Sequence, residues 1–345
     1  MTGLSPRPAL RWGILATGGI AAAFAADLRT AGLDLVAVGS RSPESAAAFA
    51  ARFGIARAHG SYEELVSDPE VDIVYVATPH PMHHADACLA LEHGKHVLVE
   101  KAFTLNRAEA QDLADLGREK GLLVMEAMWT RYLPHMARLR EIIGAGKLGE
   151  IRAVSADHTQ SLPTDPAHRL NALELGGGAL LDLGIYPISF VHDVLGAPVT
   201  VQATGRLVET GADAEVATIM THAGGAVSTT LSSSRAAGPN TAVVLGTEAR
   251  IEIDRVWYSP TTFRVVAADG TVLEEFDGRT TAHGRGGGRG MQYQALAAER
   301  YVAEAAERGS EPDSDLLPVA ESVAIMGLLD EIRRQIGVQY PGETA

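Results

Sequence analysis

Hydrophobic and polar positions follow two different rhythms along this 345-residue chain. In the first third, short continuous apolar runs alternate with stretches of helical spacing. Trp12–Leu15, Leu33–Arg41 (LDLVAVGSR), Val71–Pro79 (VDIVYVATP), His96–Lys101 (HVLVEK) and Leu122–Met125 read as strands buried on both faces, with a short further strand near Ile55–Ala58. Helices are expected between them, from Ile20 onward, at Pro43–Phe53, Ser61–Ser67, His83–Glu92 and Arg107–Lys120; the SYEE start at Ser61 resembles a capping box. Strands and helices that alternate through short joints predict a doubly wound parallel sheet, whose ligands lie at the carboxyl ends of the strands.

The rhythm changes near Arg131. A helical stretch at Leu139–Ile143 and a strand at Glu150–Thr159 lead into a polar loop, Thr164–Leu175. Apolar spacing from Leu180 to Leu195 predicts a helix ended by Gly196, with Pro187 in its first turn or kinking it. From Pro198 to Phe276 the pattern is alternating and β-branched, broken by turn signals such as Ala223-Gly224-Gly225, which predicts several antiparallel strands. Gly284–Gly290 reads either as a loop that orders over a substrate or as a linker, and helices are expected at Met291–Arg308 and Asp315–Ile336. The division expected is residues 1–130 for the parallel-sheet domain and 131–345 for an α+β domain with a large, open, mostly antiparallel sheet. Helices on one face of such a sheet leave the other to be covered, so a homodimer or homotetramer is expected.

Composition narrows the classes of partner. The formal net charge of −14 argues against nucleic acid or an anionic membrane, both of which need a basic face. A single cysteine, Cys88, excludes an internal disulfide and a Cys-rich metal site. The opening MTGLSPRPAL has no apolar core of a signal peptide, and no run approaches the length of a membrane span, so a cytoplasmic location is expected.

Candidate chemistry sits at the strand ends. After the first strand, Ala16, Gly18 and Ala21 occupy the positions of the dinucleotide fingerprint G-x-G-x-x-G/A, with Ala16 in place of the first glycine. A helix N-terminus there offers backbone N–H groups and a favourable dipole to a pyrophosphate, so Ala16, Thr17, Gly18, Gly19 and Ile20 are assigned to the cofactor. The second strand ends in Ser40-Arg41 instead of an acidic residue, a hydroxyl and a guanidinium suited to a 2′-phosphate, which favours NADP over NAD. Thr78, Pro79, His80 and His83 follow the strand Val71–Ala77; Glu100 and Lys101 close the next one. His80, His83 and His84 invite a zinc reading, but no carboxylate or cysteine completes a ligand set at a familiar spacing, and no metal is expected. His83 reads as structural as well as a cofactor candidate.

ILATGGIA, VYVATPHPMHH and GKHVLVEK occur in an order and spacing that resemble the glucose–fructose oxidoreductase / inositol dehydrogenase (Gfo/Idh/MocA) family. The resemblance continues through EAMWTRYLP (Glu126–Pro134), GKLGEI and GGGALLDLGIYPI (Gly176–Ile188), and so covers most of the chain. It implies a Rossmann domain followed by a domain with a large open antiparallel sheet, and hydride transfer between NAD(P) and a sugar or cyclic diol. The last two motifs point to the branch of dimeric dihydrodiol dehydrogenase, NADP-dependent xylose and glucose dehydrogenases and glucose–fructose oxidoreductase. It implies that Lys101 sits at the nicotinamide and the reacting oxygen, that Asp182 and Tyr186 face it, and that Arg131 is a further cofactor residue. His158 and Arg169 are weaker candidates for substrate hydroxyls. Ala102 stands where the family usually has proline, often described as holding a cis bond; an alanine makes that bond expensive, so an altered local geometry is expected.

The reaction expected is reversible oxidation of a secondary alcohol or hemiacetal hydroxyl by NADP, with Tyr186 as acid–base, its pKa lowered by Lys101 and the cationic ring, and Asp182 positioning substrate. This requires Lys101 and Tyr186 to converge over one nicotinamide. The alternatives are a non-catalytic NADP-binding regulator and a transhydrogenase that never releases its NADP.

Overall fold

The computed structural model describes residues 10–279 and 288–343; the first nine residues and most of the Gly284–Gly290 run lie outside them. The chain forms two compact units. Described residues 10–104, 108–129 and 288–323 make the first, and 105–107, 130–279 and 324–343 the second.

In the first unit, β1 (Trp12–Leu15), β2 (Leu35–Gly39), β3 (Arg57–His59), β4 (Ile73–Val76), β5 (His96–Glu100) and β6 (Val124–Ala127) form a parallel sheet in the order β3-β2-β1-β4-β5-β6. This is the doubly wound order, with the switch point beside β1. The connecting helices are α1 (Gly19–Ala31), α2 (Pro43–Phe53), α3 (Tyr62–Ser67), α4 (His83–Glu92) and α5 (Arg107–Lys120). β1 and β4 are buried at every position, as their uninterrupted apolar runs require.

Local signals account for the helix ends. Ser42 Oγ accepts from Ser45 N (3.2 Å) ahead of Pro43, and α2 stops at Gly54 in the left-handed conformation. Ser61 Oγ accepts from Glu64 N (3.1 Å), while Glu64 reaches back to accept from Gly60 N (2.8 Å). The later helix α8 (Gln292–Arg308) joins this unit, with Glu299 accepting from Trp12 Nε1 (3.0 Å).

The second unit contains α6 (Pro134–Gly144), β7 (Ile151–Thr159), α7 (Ile185–Leu195), β8 (Pro198–Leu207), β9 (Asp213–His222), β10 (Val227–Ser233), β11 (Ala242–Gly246), β12 (Ala249–Ile253), β13 (Thr262–Ala267) and β14 (Val272–Asp277). The chain closes with α9 (Val319–Ile336), which contributes to this unit from Ala324 onward. The eight strands run in the order β14-β13-β12-β11-β7-β10-β9-β8, with β7 and β10 parallel and every other neighbouring pair antiparallel. α7 packs on β7 and covers one face.

Two expectations change here. The predicted helix Leu180–Leu195 is not uniform: Leu180–Gly184 form a π-helical turn that passes into α7, which places Pro187 in the first turn of the α-helical part. Leu173–Leu195 is also long and apolar enough by composition to cross a membrane, contrary to the reading that no stretch approaches that length. Its apolar window is 72% buried inside the protein, so packing of a core helix accounts for its composition.

Candidate active site

The carboxyl edge of the parallel sheet is built from the turns after β1, β2, β4 and β5. After β1, Ala16 adopts φ +85°, a left-handed conformation that normally selects glycine, while its N–H donates to Gly39 O (2.9 Å). The missing first glycine of the fingerprint therefore leaves the turn conformation in place. Gly18 precedes α1 in extended conformation, and no side chain caps the helix. A Cβ on Gly18 or Gly19 would meet nothing within 4 Å, so the uncapped first-turn N–H donors look onto open space. That cradle fits a pyrophosphate. At the end of β2, Ser40 is buried, its Oγ accepting from Ser42 N (3.3 Å), and Arg41 is exposed. Burial and the Asp86 carboxylate push the Tyr62 phenol up while the neighbouring Arg41 guanidinium holds it down. No carboxylate replaces the Ser40-Arg41 pair in sequence, and an exposed guanidinium at this edge fits a 2′-phosphate.

Behind the edge lies a second layer. His83 is fully buried and turns both ring nitrogens to backbone carbonyls, Nε2 2.8 Å from Thr78 O and Nδ1 2.9 Å from Ala102 O. Burial in this apolar setting lowers its pKa. His80 is also buried, with Nε2 3.2 Å from Lys101 O. Glu100, expected at the cofactor, points inward: it is 4% exposed, accepts from the Tyr75 hydroxyl, and accepts from Lys101 N (3.2 Å). These contacts make His83 and Glu100 positioning residues for the segment that carries Lys101. The Lys101–Ala102 peptide is cis.

In the second unit, Asp182 lies in the π-helical turn and Tyr186 at the start of α7. Arg169 Nη1 donates to Asp182 Oδ1 (3.2 Å), which brings two of the predicted substrate residues together. His158, on β7, meets the edge of the Tyr186 ring at 4.9 Å between centroids and stacks on Tyr258 at 3.8 Å. Gln160 Nε2 donates to His158 Nε2 (2.8 Å). Burial, then the Tyr186 hydroxyl, push the Tyr258 phenol up to about 12. The result is a compact group of hydroxyl, imidazole, carboxylate and guanidinium, a donor–acceptor set suited to a polyhydroxylated molecule. Tyr258 and Gln160 were not singled out from sequence. Tyr258 lies in an irregular loop, and nothing in local periodicity marks it.

Arg131 is 3% exposed: Nε donates to Ser189 Oγ (3.0 Å), Nη2 to Ser189 O (2.8 Å), and Nη1 pairs with Asp193 (3.3 Å). The expected cofactor residue thus anchors α7 within the second unit. Asp213 anchors the other end of that segment, accepting from Leu180 N (2.6 Å). Gly178, the last of the three glycines, has φ +140°, and a Cβ there would lie 2.2 Å from Asp213 Oδ1, so the close approach requires glycine.

Comparison with known proteins agrees with this architecture. The model of the oxidoreductase family with an NAD-binding Rossmann fold, GFO/IDH/MocA, matches residues 10–128, and that of the GFO/IDH/MocA C-terminal domain matches 136–252. The chain is 36% identical over 342 residues to trans-1,2-dihydrobenzene-1,2-diol dehydrogenase of Bos taurus, covering 96% of this chain and 98% of that one. It is 38% identical over 372 residues to the NADP(+)-dependent D-xylose 1-dehydrogenase of Hypocrea jecorina, covering 96% and 93%. A 3-ketoreductase from Actinomadura kijaniata, solved with NADP and TDP-benzene, superposes with a TM-score of 0.80 at 27% identity, covering 96% of this chain and 99% of that one. The chain belongs to the GFO/IDH/MocA family of oxidoreductases.

Proposed function

We propose that this protein is an NADP-dependent dehydrogenase or reductase acting on a CH–OH group, moving hydride between NADP and a secondary alcohol or hemiacetal of a sugar or cyclic trans-diol. The observation that carries the reading is the shared edge of the parallel sheet. The open, uncapped turn after β1 and residue Lys101, which follows β5 directly, stand at the same carboxyl edge, separated in sheet order only by β4. The named activities of the dihydrodiol and xylose dehydrogenases support the substrate class, and the NADP of the xylose enzyme and of the ketoreductase structure supports the cofactor.

The turn residues Ala16 to Ile20 bind the pyrophosphate through backbone N–H groups, and Arg41 with Ser40 binds the 2′-phosphate. Thr78, Pro79 and His80 line the same edge. The bound nucleotide supplies the two-electron acceptor or donor. Lys101 donates to the reacting oxygen. Tyr186 takes the hydroxyl proton as the C–H bond is broken and returns it in the reductive direction. Asp182, held by Arg169, accepts from a neighbouring substrate hydroxyl, and His158 contributes a further polar contact. We assign a homodimer or homotetramer to the second unit's open sheet face, where Val227, Ile219, Leu231 and Leu245 are 38–54% exposed. Register places Leu245, Ala153, Val227 and Thr221 in one cross-strand row and Val243, Ser155, Thr229 and Ile219 in the next, a continuous surface of small and apolar groups.

The test is a panel of aldoses and cyclic diols offered with NADP and with NAD, followed at the nicotinamide absorbance. Turnover with at least one member and a preference for NADP is the expected result. Tight NADP binding with no turnover on any member would instead favour a regulator. Nucleotide that stays with the protein through gel filtration, with turnover only when an oxidant and a reductant are both present, would favour a transhydrogenase.

A further inference from the structure

Adjacent histidines at the start of α4 do different things. His83 points into the unit and is fully buried, whereas His84 lies on the outer side, its side chain 29% exposed. One helical turn on, Cys88 occupies the same face as His84, because residues four apart on a helix are neighbours. Asp112 reaches the pair from α5. His84 Nε2 lies 2.7 Å from Asp112 Oδ2 and 3.7 Å from Cys88 Sγ, and all three ligand atoms fall within 4.8 Å of one another.

We propose that His84, Cys88 and Asp112 form a binding site for one thiophilic divalent cation, Zn2+ above all, that bridges α4 to α5. Tetrahedral zinc with bonds of about 2.0–2.3 Å sets neighbouring ligand atoms roughly 3.3–3.6 Å apart. The imidazole–thiol separation already matches that spacing closely. The imidazole–carboxylate hydrogen bond has to open by roughly 0.6 Å to reach it, and the Asp112 side chain, 67% exposed, is free to move outward. A thiolate, an imidazole and one carboxylate select a borderline-soft ion; Mg2+ and Ca2+ take oxygen ligands throughout. Three protein ligands leave a fourth position for water or for Glu109, one turn before Asp112 on α5 and close enough to act electrostatically on His84. Zinc takes the thiolate and the neutral imidazole as ligands, so binding is coupled to proton release.

The site was hidden from a reading of the histidine run alone. His80 and His83 are occupied by backbone carbonyls, and the residues that complete the set for His84 come from the next turn of the helix and from another helix. A bound ion would hold α4, whose first residue supports the turn after Lys101, against α5.

The experiment uses the full chain without an affinity tag, stripped with a chelator and titrated with Zn2+ alone by equilibrium dialysis and metal analysis. Expected are one Zn2+ per chain, a higher thermal midpoint with the ion bound, and a thiolate-to-metal charge-transfer band when Co2+ replaces Zn2+. Cys88→Ser and Asp112→Asn should each weaken binding by more than the ~10–100-fold typical of losing a partner of a ligand, and Cys88→Ser should abolish the Co2+ band. Unfolding of both metal-free variants is followed in parallel, and the exposed Asp112 makes its variant the safer of the two for the fold. Absence of stoichiometric binding, or wild-type affinity in either folded variant, would overturn the proposal.

Discussion

His83 Nδ1 lies 2.9 Å from the carbonyl oxygen of Ala102, which ties the start of α4 to the turn that carries Lys101. The opposite ring nitrogen is 2.8 Å from Thr78 O, so one buried imidazole spans the turns after β4 and β5. A side chain in that position sets the aim of its neighbours without touching a ligand. His83→Ala should lower turnover by ~10–100-fold through misplacement of Lys101, with a stability loss of roughly 2–4 kcal/mol from the orphaned carbonyls and the cavity. His83→Gln should recover part of the turnover. Denaturant unfolding and steady-state kinetics on both variants check this; unchanged kcat in His83→Ala would remove its positioning role.

Lys101→Met and Tyr186→Phe should each reduce kcat by roughly 10²–10⁴ while NADP still binds. If the amine and the phenol act on the same proton transfer, the double variant should be little worse than the poorer single one. Additive losses would show that they act in separate steps. Fluorescence titration with NADPH alongside the kinetics separates binding from chemistry.

Arg41→Ala should raise KM for NADP by roughly 10–100-fold, the ~1.5–3 kcal/mol of a charge-assisted hydrogen bond to phosphate. KM for NAD should change little. Equal losses with both nucleotides would mean that Arg41 serves the fold and not the 2′-phosphate.

Asp213 is buried, and desolvation raises its pKa to about 6 in spite of the bonds from Leu180 and Ala179 N–H. A carboxyl whose pKa is higher folded than unfolded binds a proton more readily in the folded state. Its contribution is fully present below about pH 4 and is lost as pH rises through about 6. The size is on the order of 2–3 kcal/mol. Urea unfolding across this range should therefore show wild type losing stability relative to Asp213→Asn as pH rises. Parallel pH profiles of the two proteins would contradict this.

Ile219→Lys and Leu231→Lys place charges on the exposed face of the second sheet, where both side chains now present apolar surface. Sedimentation should show an oligomer for wild type and a smaller species for the double variant. A wild type that sediments as a monomer at micromolar concentration would leave that face with another role.

Residue order was sufficient for much of this protein because the deciding interactions are local. The limits of α2 follow from the Ser42 cap, Pro43 and Gly54, left-handed glycines, Gly94 and Gly121, follow α4 and α5, and the turn after β1 follows from small residues between a buried strand and a helix. Even Ala16 was readable as a fingerprint position, since its neighbours demanded the turn. The apolar spacing from Leu180 to Leu195, with Asp182 and Tyr186 four apart, likewise announced one segment, although the π-helical turn within it did not show in an apolar period that both helix types satisfy.

Tertiary packing decided the rest. Glu100 and Lys101 are consecutive, yet the carboxylate turns inward to Tyr75, a residue on the neighbouring strand β4. Tyr258 joins His158 and Tyr186 from a loop, 100 residues after His158 in the chain, and Cys88 meets Asp112 across two helices. Arg131 and Asp213 became anchors of one helical segment because their partners, Asp193 and Leu180, are brought to them only by the folded chain. Period and capping report on neighbours within one turn or one strand. Burial, and with it the partner and protonation state of a polar group, depends on which distant segment arrives against it.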